Sequence, residues 1–398
     1  MKKAIKIILI TLLSLITLFI IVVLIAFFGD DTTSVEEPQF VTLTPVTEEF
    51  DSIALADNME MPDSIRQNLE DYDYLVSFVE MNYAPFSAIM EKGYEQEYRA
   101  MRKQLRHQVI NGETNIDKAV SDYVFWFYGR FDRHIAIYTE TFWETANTLF
   151  PQDIEIIDYA PKAVSCKVDS CTWLIRIPSC DQSFIEWTYN ALQQFMESDC
   201  ENLIIDVRGN PGGIDGVWGV YFMALYDHIG KPSICWFRNT PENLSRWEST
   251  STSKHSKEFI KRCKSSNKKF EKWAWYDGDM RLQSTTRIHR SAVLIDWYTA
   301  SAAESFVKFV KKHSDRAKVY GICNTNGSEL TGNINWGSLP NSKVEFCYPT
   351  TVESDFYEHD FSTTPGIAPD IIIPLPYATT LTDNIDEWVL WVAEDLKR

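Results

Sequence analysis

The sequence predicts an α/β fold, a mixed or mainly parallel sheet covered by helices, preceded by a small helical domain and one transmembrane helix. Three observations predict it. An almost unbroken run of Ile, Leu, Val and Phe fills residues 4–28. Apolar residues three or four apart then recur between about 62 and 124. Beyond about Ile135, short apolar runs alternate with helical patterns.

The first run is long enough to cross a bilayer, whose core of about 30 Å takes about 20 apolar residues in helix. A cleaved signal peptide has a shorter apolar region ending in small residues. This run ends in Ala26-Phe27-Phe28-Gly29, a poor cleavage site, so residues 1–28 read as an uncleaved anchor. Lys2, Lys3 and Lys6 stand at its start, and Asp30, Asp31, Glu36 and Glu37 follow it. The positive-inside rule keeps the lysines cytoplasmic and puts the rest of the chain on the periplasmic or extracellular side. Eight cysteines fit an oxidising compartment, although spacing does not reveal their pairing. Residues 29–55, rich in Thr, Glu, Asp and Pro, read as a tether that lifts the folded part off the membrane.

The helical domain is expected over 56–140. Leu69, Tyr72, Leu75, Val76 and Val79 mark one face of a first helix. Residues 94–110 give a second, ending near Asn111-Gly112, and 116–128 a third. The alternating part follows over 141–398. Strands are expected at 173–177, 203–207, 293–295 and 319–322, and helices at 184–196, 216–226 and 302–312. In such sheets, chemistry gathers at the carboxyl ends of strands.

Composition narrows the function. A chain of 398 residues, 45% hydrophobic and 14% aromatic, can bury a sizeable core. A net charge of -18 argues against a nucleic-acid partner. The cysteines form no CxxC pair and no Cys/His pattern, so no metal is expected. One basic cluster, 254–272, departs from the acidic background and reads as a solvated helix face or loop, with substrate steering as the functional alternative.

Three places can carry chemistry. Leu203-Ile204-Ile205-Asp206-Val207-Arg208-Gly209-Asn210-Pro211-Gly212-Gly213 is a strand running into a glycine turn. Such a turn is either an ordinary tight bend or a set of bare N–H groups aimed at an anion. In Val293 to Glu304 a strand breaks and Ser301, flanked by alanines, opens a helix. A serine there is a helix cap or a hydroxyl nucleophile beside the positive end of a helix. Phe131-Asp132-Arg133-His134-Ile135 offers an imidazole near a turn, structural in the common case and a general base in the other.

Together these segments resemble the tail-specific, or C-terminal processing, serine protease family. The carriers are LIIDVRGNPGG, the upstream CTWLIRIPS strand, the downstream TASAAE segment and the late PGIAPD strand entry, in that order. The resemblance implies a crotonase/ClpP-like spiral core and peptide-bond hydrolysis without a cofactor. It implies Ser301 as nucleophile, with an oxyanion hole from Ala302 and from Gly212 or Gly213. The lysine of the bacterial pattern is missing from Gly321-Ile322-Cys323-Asn324-Thr325-Asn326-Gly327-Ser328. The Asp-x-His segment is instead similar to the tricorn-core branch, implying His134 as base. Glu358 and Asp360 are then the candidate orienting acids, with Asp132 a remoter one. Fewer than forty residues separate His134 from the Trp173 strand, too few for the PDZ domain of relatives. The expected partners are a peptide or protein substrate and the membrane. A catalytically inactive peptide- or lipid-binding protein on the same fold is the rival expectation.

Overall fold

The computed structural model describes residues 37–45, 61–149, 161–228, 233–250, 253–276, 287–377 and 385–398. The expected membrane span lies outside the described residues. Among those described, no helix is long and apolar enough to cross a membrane.

Helix α1 (Asp63–Asn82) buries Tyr72, Leu75, Val76 and Val79, the stripe that the spacing predicts. Helices α2 (Glu95–Ile110) and α3 (Ile116–Tyr128) follow. Asn115 starts α3 by accepting the Lys118 N–H at 2.8 Å, satisfying a donor that a helix start leaves free. A short strand β1 (Ala136–Ile137) and helix α4 (Glu140–Asn147) complete this part.

Next come β2 (Val164–Lys167), β3 (Thr172–Arg176), α5 (Phe184–Glu197), β4 (Asn202–Asp206) and α6 (Gly219–Leu225). After these lie β5 (Ser233–Arg238), α7 (Pro241–Thr250), α8 (Lys254–Ser265), β6 (Phe270–Tyr276) and β7 (Arg290–Leu294). The chain ends with α9 (Ala302–His313), β8 (Ala317–Gly321), β9 (Thr331–Ser338), β10 (Glu345–Glu353), β11 (Ile371–Ile372) and α10 (Glu387–Asp395).

One sheet has the order β11-β8-β7-β4-β3-β2, parallel throughout except for the β2–β3 pair. Its central strands are apolar on both faces because both are covered. Ile175, Ile205, Val293 and Val319 enter one core, and Leu174, Ile204, Leu294 and Tyr320 the other.

A second sheet runs β1-β10-β5-β6, with β9 on the other edge of β10. It was not expected, and it changes the domain picture. Val76, Val79 and Phe127 of the helices share one core with Trp236, Phe346 and Tyr348 of this sheet. The boundary expected near residue 140 therefore separates nothing: the apolar helix stripes need a partner surface, and the second sheet is that surface.

One further expectation is corrected. Residues 37–45 do not hang free as tether. Leu43 is buried, Val41 donates its N–H to Ser87 Oγ at 3.1 Å, and Arg102 donates to the Thr44 carbonyl at 2.9 Å. All eight cysteines are free in this structure.

Candidate active site

Because β4, β7 and β8 are parallel neighbours, their carboxyl ends open at one edge of the first sheet. The glycine turn follows β4, the Ser301 loop follows β7, and residues 322–330 follow β8. Three loops scattered in sequence thus share one place.

Ser301 sits at the start of α9 with φ 53 and ψ -120. A side chain in the left-handed region costs about 1–3 kcal/mol, and it persists only where surroundings impose it. Here they do. The Ser301 N–H donates to Glu304 Oε2 at 2.9 Å and to Ser328 Oγ at 3.0 Å. Glu304 is fully buried and also accepts from Thr325 Oγ1, Gly327 N, Ser328 N and Ser328 Oγ, between 2.6 and 3.0 Å. One carboxylate therefore ties the serine turn to the loop after β8.

A second carboxylate ties the serine loop to the glycine turn. Buried Asp296 accepts from the N–H of Gly209 at 3.0 Å, of Tyr298 at 2.9 Å and of Thr299 at 3.0 Å. It also accepts from the Tyr377 hydroxyl at 2.7 Å. Burial pushes this carboxyl up to about 6. At the foot of the turn, Asp206 holds Arg176 and Arg208, both also bonded to Asp386 at the start of α10. Burial alone would raise Asp206, but Arg208 and Arg176 outweigh it and hold the carboxyl down at about 2.

The glycines are dictated by contact. A Cβ on Gly212 would lie 2.6 Å from Ser301 Cβ, and one on Gly213 would lie 2.3 Å from the Cys180 carbonyl oxygen. Both have positive φ, 91 and 140. The Gly212 N–H is spent on Asn210 Oδ1 at 2.9 Å. The N–H groups of Gly213 and Ala302 carry no hydrogen bond among the described residues.

His134 precedes β1 and is 6% exposed. Strand β10 pairs with β1 on one edge and β9 on the other, which brings His134 and Thr331 to the same end of β10. The His134 Nδ1 lies 2.7 Å from Thr331 Oγ1, which lies 2.7 Å from Asp132 Oδ1. Thr331 has one hydroxyl proton. When it is donated to the carboxylate, the hydroxyl oxygen must accept from Nδ1–H, leaving a lone pair on Nε2. Asp132 is further held by the His134 backbone N–H at 2.9 Å and the Tyr83 hydroxyl at 3.1 Å. Burial raises the Asp132 carboxyl to about 6 and lowers the His134 imidazole to about 4. The ring is thus neutral at pH 7. Its Nε2 is buried without a hydrogen-bond partner, so no hydrogen bond joins it to Ser301 in this structure.

His134 and Ser301 are nonetheless connected through the loop after β8. Arg133 donates its N–H to the Gly327 carbonyl at 3.2 Å, one residue before Ser328. The expected acids Glu358 and Asp360 are corrected by this geometry. Both are exposed, Asp360 closes its own turn on the Ser362 N–H, and neither bonds the ring. Asp132 is the carboxylate joined to the ring, through Thr331, a bridge that the sequence reading missed. A bridging hydroxyl 197 residues away leaves no local pattern.

Two comparisons bear on what class of protein this fold and site define. The chain belongs to peptidase family S41, whose model matches residues 172–373. By structure it is similar to mature CPAF, with a TM-score of 0.51, 13% identity, and coverage of 84% of this chain and 96% of that one. It is also similar to a lipoprotein from Streptococcus agalactiae, with a TM-score of 0.43, 16% identity, and coverage of 85% and 98%. At these identities the likeness shows the fold alone. No curated protein sequence matches the chain.

Proposed function

We propose that the chain is a membrane-tethered endopeptidase in which Ser301 is the nucleophile and His134 the general base. The observation that carries this reading is the buried imidazole with Nδ1 held by Thr331 and Nε2 left as an unpartnered acceptor. An orphaned buried acceptor costs about 1–3 kcal/mol, and a proton donor brought to it relieves that cost. In this reading the donor is the Ser301 hydroxyl. The distance closes when substrate enters, as catalytic hydrogen bonds commonly do.

Ser301 Oγ attacks the peptide carbonyl, and its proton passes to His134 Nε2. The oxyanion is received by the N–H groups of Ala302 and Gly213, which have no other acceptor. Each such donor is worth about 3–4 kcal/mol. The imidazolium then gives its proton to the leaving amine, and water hydrolyses the acyl-enzyme by the same route. The short stretch between β1 and β2 supports cleavage without a separate domain that reads a free carboxy-terminus. The apolar run 4–28 with its flanking lysines supports anchoring, with the peptidase on the periplasmic or extracellular side. The test is incubation with unfolded protein: new termini read by mass spectrometry, and fluorophosphonate label on the Ser301 peptide. A wild-type chain that gives neither is not this enzyme.

A pH profile probes the relay. His134 stays neutral down to about 4, while Asp132 loses its charge below about 6. Protonated Asp132 can donate to Thr331, which then donates to Nδ1 and moves the ring proton to Nε2. That tautomer is not a base. The acid limb of kcat/KM is therefore expected in two steps, a partial loss through about pH 6 and complete loss through about pH 4. Asp132→Asn removes the upper step. Its amide oxygen can still face Thr331 and its nitrogen Tyr83, so geometry survives while charge is lost. The fall expected at pH 7.5 is about 100-fold. An unchanged two-step profile in Asp132→Asn excludes Asp132 from the relay.

Gly212→Ala addresses the turn. Its Cβ can be accommodated only by moving Ser301, and displacing a reacting group by about 1 Å costs about 100-fold. The fluorophosphonate labelling rate should fall by that factor, with about 1–3 kcal/mol of stability lost to the strained φ.

A further inference from the structure

We infer that the lysine face of α8 rests on the membrane, against anionic lipid headgroups; this builds on the reading of residues 4–28 as an anchor. Two independent observations carry it: how little chain lies outside the structure there, and the charge of the face where that chain arrives.

Glu37 pairs with Lys268 just beyond α8 at 2.7 Å. The Phe40 ring lies 3.7 Å beneath the Arg238 guanidinium, with Lys269 Nζ 5.6 Å from the same ring. With Leu43 buried, residues 37–45 are fastened to the body from the α8 side onward. Only residues 29–36 separate Glu37 from the end of the apolar run. Eight residues span at most about 28 Å when fully extended. An anchored chain must hold Lys268 within that reach of the bilayer boundary.

The face held there is the basic one. Segment 254–272 carries eight lysines and arginines against two glutamates in a chain of net charge -18. Within α8, Lys254, Lys257, Lys261 and Lys264 are exposed at spacings of three and four, turned away from the buried Phe259, Ile260 and Cys263. Some of this charge is answered locally: Glu258 pairs with Lys254, Glu248 with Lys264 and Glu271 with Arg262. Lys257 and Lys261 have no ion pair among the described residues. An anionic leaflet attracts this face and repels the acidic remainder, so charge and reach together orient the body on the membrane.

The test uses the full-length chain in vesicles of phosphatidylcholine, alone or with phosphatidylglycerol. Acetylation by a water-soluble amine reagent is followed residue by residue by mass spectrometry. Lys257 and Lys261 should react about fivefold more slowly in the anionic vesicles, with the difference lost in high salt. Lys167, exposed on β2, serves as the unaffected control. In the double variant Lys257→Glu, Lys261→Glu the protection of Lys254 should also disappear. Equal rates for Lys257 and Lys261 in the two vesicle types overturn the inference. Flotation of the same preparation on phosphatidylcholine alone tests the anchor separately. A chain that stays behind there removes the reach argument and overturns the inference by that route.

Discussion

Ser301→Ala is expected to lower the peptidase rate by about 10⁶-fold, the scale seen when a serine nucleophile is removed from a unit that acts together. Fluorophosphonate labelling should disappear entirely. The fold should remain, and the reason is local. The bonds that hold this turn use the Ser301 backbone N–H, which donates to Glu304 and Ser328 and is kept by alanine. Alanine also retains the Cβ, so the strained φ of 53 is unchanged. Thermal melting should therefore shift by less than about 1 kcal/mol equivalent. Ser301→Gly separates chemistry from strain in the opposite direction. It abolishes the same activity, yet it relieves the left-handed conformation and should raise stability by about 1 kcal/mol. Retained turnover in Ser301→Ala would move the nucleophile elsewhere and end the mechanism proposed above.

Glu304→Ala is expected to have the largest effect on stability. The carboxylate is fully buried and accepts from five donors on Ser301, Thr325, Gly327 and Ser328. Its removal leaves several of them unpaired away from water, at a cost of about 3–5 kcal/mol. A fall in melting temperature on the order of 10 °C follows. Glutamine offers little rescue. Oε1 accepts from Thr325 and Gly327, and Oε2 from Ser301 and Ser328, so neither amide orientation serves both sides. The loop after β8 also carries the Gly327 carbonyl that receives the Arg133 N–H. Loosening it should therefore displace His134 relative to Ser301. Near-normal melting and labelling in Glu304→Gln would show that this carboxylate does not fasten the site.

The central strands of the first sheet were legible because they are apolar runs buried on both faces and bounded by turn residues, as in β4 and β7. Residues 203–207 and 293–295 announced themselves in this way: the first lies within a residue of the observed β4, and the second covers only the carboxyl end of β7, which begins three residues earlier at Arg290. The second sheet was not legible. β9 reads Thr-Gly-Asn-Ile-Asn-Trp-Gly-Ser, without alternation, and β10 carries Pro349 in its middle. What makes them strands is pairing with each other and burial beneath the helices, neither of which is a local property.

The same division runs through the site. Ser301, the glycine turn and His134 stand out as residue types at strand ends and turns, and a family resemblance could be read from their order. Their supports do not stand out. Thr331, Glu304, Asp296 and Tyr83 are ordinary residues until folding brings them to an imidazole, a serine turn and a glycine bend. By itself the sequence determined the fold class, the nucleophile candidate and the apolar run, because apolar periodicity and conformationally special residues act over short distances. Only the tertiary structure decided which carboxylate faces His134, which glycine N–H remains available, and where residues 37–45 lie. Those outcomes depend on hydrogen bonds between residues far apart in the chain, whose partners are chosen by packing.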